Sequence, residues 1–305
     1  TAAKVFSLPP EEIDGGLRAR IKAMNYGLAY GLSSYGLSQQ LGISTGDAQG
    51  LMDDYFERFG GVRDYLRGLV DLSGVRPIKI VVDAGNGMGG LTAPAVLGEA
   101  AGLPKLPIEI VPLYFELDGS FPNHEANPLE PGNLVDLQKA VVDHGADLGL
   151  AFDGDADRCF AVDEKGDAVN PSAVAAIVAL REITRVRKLQ PEGEIVVLHN
   201  LITSRIVAET IEDAGAVPVR TKVGHSLIKD QMAATGAIFG GEHSAHYYFR
   251  DFWGADNGML AAMHLLAEFG SQAEPLSALS ARYTPYALSG EINSVVKDVP
   301  AADNR

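Results

Sequence analysis

Leu148-Gly149-Leu150-Ala151-Phe152-Asp153-Gly154-Asp155-Ala156-Asp157-Arg158-Cys159-Phe160-Ala161-Val162 is the stretch on which the reading of this chain turns. Two short apolar runs, 148–152 and 159–162, predict buried strands on either side of an acidic loop. The loop's carboxylates recur at i, i+2 and i+4. They can converge on one cation only if the backbone curls, and Gly154 with the small Ala156 permits the curl. All-oxygen donors suit a hard ion such as Mg²⁺, so Asp153, Asp155 and Asp157 are candidate metal ligands. Arg158 beside three acids makes sense where an anion sits on the metal, because guanidinium grips phosphate bidentately. A calcium loop is the competing reading, since the three Asp fill its first acidic positions and Glu164 its twelfth. Its sixth position needs Gly but holds Arg158, and strands stand where helices should. A solvated acidic hairpin turn is the bland alternative, for which three alternating Asp closed by Arg are unusual. Cys159 reads as a core residue of the following strand.

Outward from this loop, strands alternate with helices. Ile78 to Val82 reads as a buried strand, and Asp83-Ala84-Gly85-Asn86-Gly87-Met88-Gly89-Gly90 as a tight strand-to-helix turn. That turn lacks the Lys-Ser/Thr of a P-loop, which leaves phosphate contact a minority option. A helix over 91–97, a strand over 108–114 and a helix over 134–144 complete the unit. Residues 171–190 read as a connecting helix. The grammar then restarts, with strands at 194–198 and 217–221 around a helix at 204–214. The fold class is therefore α/β, as two consecutive units. The first 70 or so residues read as helical, and Ser44-Thr45 can cap a helix with Asp47 in its first turn.

Gly240-Gly241-Glu242-His243-Ser244-Ala245-His246 follows the strand-like Ala237-Ile238-Phe239. Glu242 can accept from two hydroxyls of a polyol, and Ser244 and His246 can complete the set. His243 alone reads as structural. Gly224-His225-Ser226 with Lys229 offers groups for a phosphate or a sugar ring.

Composition narrows the classes. The chain has 305 residues, 46% of them hydrophobic, and a net charge of -15. That is enough apolar content for real cores and too much for a disordered chain. The acidic balance lowers the prospect of nucleic-acid binding without excluding a local basic patch. A single cysteine excludes an internal disulfide framework. No apolar run approaches a membrane span, and Thr1-Ala2-Ala3-Lys4-Val5-Phe6 lacks a signal-peptide core. A soluble cytoplasmic protein is the plain expectation.

Five passages, in order and spacing, resemble the α-D-phosphohexomutase family in its bacterial phosphomannomutase/phosphoglucomutase branch. They are Val81 to Gly87, Phe121-Pro122-Asn123-His124-Glu125-Ala126-Asn127-Pro128, Asp153 to Arg158, Lys222 to Ser226, and Gly241 to His246. The resemblance runs from about residue 66 to 295. It implies two three-layer α/β domains, a metal-binding one over 66–175 and a sugar-binding one over 176–282. Residues 283–305 would start a further domain. It also implies Mg²⁺ on Asp153, Asp155 and Asp157, and Arg158 and His225 in catalysis. Glu242, Ser244, His246 and Lys229 would bind a mannose or glucose phosphate. The implied reaction interconverts hexose 1-phosphate and hexose 6-phosphate through an enzyme phosphoserine. No loop like the family's Thr-Ala-Ser-His-Asn-Pro occurs in these residues, nor does its C-terminal phosphate-gripping domain.

Residues 1–65 resemble something else. Arg18, Lys22, Tyr26 and Tyr30 recur every four residues, one stripe on a helix. With the text through Tyr55-Phe56-Glu57-Arg58-Phe59, they are similar to the finger helix of family A bacterial DNA polymerases. There Arg18, Lys22 and Tyr26 would hold a nucleotide, although the palm carboxylates that nucleotide addition needs are absent. The chain thus reads as a chimera joined near Asp64 to Leu69. A nucleotide- or DNA-binding fragment, or an inactive composite, stands as the alternative function. Little mutase turnover is expected from these residues alone, and conversion of mannose 1-phosphate to mannose 6-phosphate by the purified chain measures it.

Overall fold

The computed structural model describes residues 61–100 and 102–287, together with Ser38, residues 43–48 and Gly50. In the N-terminal piece Ser44 Oγ accepts the Asp47 amide at 3.0 Å, the cap read from the sequence. Arg18, Lys22 and Tyr26 lie outside the described residues.

Helix α1 (Gly61–Leu69) leads into the first sheet. Its strands are β1 (Ile78–Asp83), β2 (Ile108–Leu113), β3 (Leu148–Phe152) and β4 (Cys159–Asp163), in the order β2-β1-β3-β4. β1 runs parallel to β2 and β3, and β4 returns antiparallel. Helix α2 (Gly89–Val96) follows β1, and α3 (Val135–Asp143) precedes β3. Successive side chains alternate across a strand, so Gly149 and Phe152 face opposite ways. A Cβ on Gly149 would come within 2.7 Å of Val141 and 2.8 Å of Leu137 on α3. Phe152 instead faces Gly89 at the start of α2, where an added Cβ would lie 3.1 Å away. Helices therefore cover both faces, which explains why β1 and β3 are near-continuous apolar runs.

The second unit opens with α4 (Pro171–Leu189). It continues through β5 (Val196–Asn200), α5 (Arg205–Asp213), β6 (Val217–Thr221) and α6 (His225–Thr235). The strands β7 (Phe239–Gly241), β8 (Tyr247–Phe249) and β9 (Ala255–Asp256) close the sheet, in the order β6-β5-β7-β8-β9. Helices α7 (Gly258–Gly270) and α8 (Leu276–Ala281) end it. β5 is parallel to β6 and β7, and β8 returns antiparallel, so its first four strands repeat the first sheet's plan. The β3–β4 loop and the β7–β8 loop thus occupy equivalent places. Each has an alanine in the left-handed region, Ala156 at φ 60° and Ala245 at φ 65°. Each alanine's amide bonds the carbonyl three residues back, of Asp153 and of Glu242.

Two sequence expectations shift. α4 is more than a connector, because it packs on β7 so closely that a Cβ on Gly241 would meet Ala175 Cβ at 2.9 Å. β7 covers 239–241 rather than 237–239. Glycine disfavours strands, but Gly240 and Gly241 pair with Leu198 and His199, and that pairing decides. Among the described residues no helix is long and apolar enough to cross a membrane. Leu137 is fully buried. Leu137→Ala should lower stability by about 3 kcal/mol through lost transfer energy and a residual cavity, read by urea unfolding.

Candidate active site

The site is built from the two equivalent hairpin loops, which meet face to face. Arg158 and His246 form an isolated antiparallel bridge between them. Beside this bridge opens a cavity of about 500 Å³, lined by Phe121, Glu125, Ala126, Asp153, Gly154, Asp155, Asp157, Arg158 and His246. Five of the sequence candidates therefore share one space.

The acidic loop gathers its carboxylates. One oxygen from each of Asp153, Asp155 and Asp157 lies within 4.8 Å of the others. Asp153 is buried and spoken for: its Oδ1 accepts the Arg158 amide at 3.0 Å, and its Oδ2 accepts Arg158 Nε at 2.8 Å. Arg158 Nη1 also donates to Asn127 Oδ1 at 3.3 Å. Asp155 and Asp157 carry the strain of the cluster. Burial, then the neighbouring Asp153, pushes Asp155 up to about 6. Burial, followed by Asp153, Asp155 and Asp256, pushes Asp157 up to about 8. A hard cation would relieve that repulsion, and the all-oxygen donors fit one. Glu164, the twelfth residue of the competing calcium reading, points elsewhere and binds Ser277 through its amide and hydroxyl.

The Gly-rich turn supports this loop. Met88 donates its amide to the Gly154 carbonyl at 2.9 Å, and a Cβ on Gly87 would stand 2.6 Å from that same oxygen. The amides of Gly85, Asn86, Gly87 and Gly90 all have protein acceptors, so the turn offers no phosphate cradle there. Asn86, in the left-handed region at φ 59°, accepts from Asn123 Nδ2 at 2.7 Å and donates to Glu116 O at 2.8 Å. That ties the loop carrying Phe121, Glu125 and Ala126 to the turn. His124 completes the tie, with Nε2 3.0 Å from buried Asp83 and Nδ1 2.9 Å from Glu125 O.

On the second unit the pieces divide. His246 Nδ1 lies 3.0 Å from Ser244 Oγ and 3.6 Å from Glu242 Oε2, while its Nε2 lies 3.7 Å from Asp157 Oδ1. Burial lowers its pKa. Glu242 sits behind, 2% exposed, with one oxygen on Asn200 Nδ2 and the other on the Tyr248 hydroxyl. Lys229 is not free to meet an anion alone, because its Nζ lies 2.6 Å from Asp256 Oδ1. His243 is structural as read, bonded to Ser172 Oγ at 2.9 Å. His225 opens α6, and its side chain lies outside the described residues. Asp157, His246 and Asp256 form a second group with ligand atoms within 4.8 Å. Its Asp256 is already paired with Lys229.

Sequence reading missed Asp256, Asn200, Tyr248 and the role of Asp83. Asp256 lies on a two-residue strand with no period to read. Asn200 and Tyr248 are buried among strand residues that pattern as core.

A two-layered likeness emerges once this geometry is set beside known proteins. Residues 53–166 match "Phosphoglucomutase/phosphomannomutase, alpha/beta/alpha domain II", and residues 170–286 match domain III of the same family. This chain belongs, through those residues, to the phosphoglucomutase/phosphomannomutase family of phosphohexomutases. Residues 1–74 match DNA polymerase family A, so two families meet in one polypeptide. A protein from Xanthomonas campestris described as phosphohexose mutases is 41% identical over 241 residues, 78% of this chain and 51% of its own length. The phosphomannomutase/phosphoglucomutase of Pseudomonas aeruginosa is 38% identical over 226 residues, 74% of this chain and 44% of that one. The crystal structure of a phosphoglucomutase/phosphomannomutase family protein from Burkholderia thailandensis superposes with a TM-score of 0.66 at 30% identity, over 79% of this chain and 53% of that one. The chain spans about half the length of the curated relatives it matches.

The His124–Asp83 pair has a testable pH signature. Its hydrogen bond to Asp83 raises His124 to about 9, against the opposing effect of burial. A His raised in the folded state adds stability that is whole below about pH 6.5 and lost as pH climbs through 9. After solvent screening the loss should be about 1 kcal/mol. Urea unfolding between pH 6 and 10 should show that slope in the parent and a flatter one in His124→Gln.

Proposed function

We propose that residues 66–282 form the metal-holding and sugar-facing walls of a phosphohexomutase acting on a mannose or glucose phosphate, in the cytoplasm. The observation that carries this reading is the cavity itself. The acidic loop's three carboxylates and guanidinium, Glu125, and an imidazole from the second unit converge on one opening of about 500 Å³. A hexose phosphate presents the matching chemistry, an anion at one end and hydroxyls at the other.

Asp153, Asp155 and Asp157 would hold Mg²⁺, which when bound would offset charge on the transferring phosphoryl group. Arg158 is fixed by Asp153 and Asn127, so it meets an anion in the cavity without first having to order its side chain. His246 stands where the two loops meet. Ser244 and Glu242 fix its Nδ1 side, which leaves Nε2 toward Asp157 and the cavity. Glu242 would act on the sugar from behind this layer. Each of its oxygens keeps acceptor capacity beyond the bonds from Asn200 and Tyr248, and those bonds fix its orientation. In the whole protein the interconversion of hexose 1-phosphate and hexose 6-phosphate would proceed through a phosphoserine.

Binding measurements test this directly. Cation binding must drive protons off Asp155 and Asp157. Mg²⁺ affinity should therefore be weak below pH 6 and rise until about pH 8, following the raised carboxyls. Proton release should be visible as a buffer-dependent heat in titration calorimetry. Asp155→Ala should lower Mg²⁺ affinity at least about tenfold, a loss of roughly 1.4 kcal/mol. Mannose 6-phosphate should bind more tightly with Mg²⁺ present. Equal metal affinity in Asp155→Ala and the parent would end the loop assignment.

A further inference from the structure

The acidic loop also touches the second unit through its backbone, away from the side chains that face the cavity. Helix α7 begins there. Asn257 caps it, accepting the Leu260 amide at 2.8 Å, and its own amide donates to Tyr247 O at 3.0 Å. The next residue, Gly258, donates its amide to the Ala156 carbonyl at 3.2 Å. A Cβ on Gly258 would lie 2.5 Å from the Arg158 carbonyl oxygen and 2.9 Å from that of Ala156. These neighbours are backbone atoms, so no side-chain rotation can make room. Gly258 has no positive φ to explain it. Close approach is the reason glycine stands here.

The far end of α7 is fastened to the first unit as well. The Arg76 amide donates to Gly270 O at 3.0 Å, and the Arg76 guanidinium stacks 4.4 Å from the Phe269 ring centre. A helix of the second unit thus spans the first and presses its first residue on the loop that carries Asp153, Asp155 and Asp157.

We propose that Gly258 is a positioning residue for the acidic loop, the outer jaw of a clamp whose inner jaw is Gly87. Gly87 presses on Gly154 from within the first unit, and Gly258 presses on Ala156 and Arg158 from the second. The loop's curl is held between two backbones, so the convergence of its carboxylates depends on how closely the two units stay docked. The cation-binding part of the inference rests on the proposed function; the clamp itself does not.

Hydrogen exchange on the full chain tests the clamp without metal. In Gly258→Ala the peptide spanning 153–160 should exchange about tenfold faster, while peptides from the middle of α4 stay as in the parent. Asn257→Ala loosens the same helix start without a steric clash and should give a smaller rise in the same peptide, which covers the case of Gly258→Ala failing to fold. Gly132→Ala, where an added Cβ meets nothing within 4 Å, is the control and should leave the loop unchanged. Mn²⁺, titrated as a probe by its electron paramagnetic resonance signal, should bind about tenfold more weakly to Gly258→Ala. Loop exchange at the parental rate in Asn257→Ala, and in Gly258→Ala where it folds, overturns the clamp. Faster loop exchange together with no Mn²⁺ binding by the parent upholds the clamp and removes the metal reading.

Discussion

Everything at the centre of this molecule depends on backbone packed directly against backbone around one six-residue loop. The chain from Asp153 to Arg158 has no room for a side chain at Gly87 on one flank or Gly258 on the other. Its curl buries three carboxylates together, and burial first, then mutual repulsion, raises Asp155 and Asp157. Packing from both sides supplies the compensation that local sequence cannot. The Asn86 and His124 contacts extend the same support to the loop that forms the cavity's other wall.

The repeated strand order explains why the two chemistries face each other. Each unit has a loop between its third and fourth strands, and each loop turns on a left-handed alanine. One begins with buried Asp153 and the other with buried Glu242. In the first, the buried acid fixes an arginine. In the second, it is fixed by an amide and a phenol, and it borders a histidine. The same backbone device thus carries an acid that fixes an arginine in one copy and an acid that borders a histidine in the other.

Much of this was legible in the sequence, for identifiable reasons. Strand runs such as Leu148 to Phe152 and the Asp-Gly-Asp-Ala-Asp-Arg spacing are local signals, and they report the sheets and the acidic loop. What was not legible depends on tertiary contact. Lys229 pairs with Asp256 across 27 positions, and Asn200 meets Glu242 across 42. No periodicity announces such partners. The Gly-rich turn was read correctly as a tight strand-to-helix turn, but its partner was hidden. Glycine marks tight approach without saying whether a ligand or another strand of backbone approaches, and here it is Gly154.

Helix α1 lies where the two family likenesses overlap, between residues 53 and 74. Its Leu66, and Val70 just past its end, point into the shared core one turn apart. Arg67 donates to the carbonyls of Val96, Gly98 and Pro104, and the Tyr65 hydroxyl donates to the Asp251 carbonyl. A splice placed inside such a helix needs no linker. It requires only that the incoming text supply an apolar residue every fourth position and a long donor between them. Sequences of unrelated ancestry can satisfy that, because packing reads the spacing and size of side chains rather than their descent.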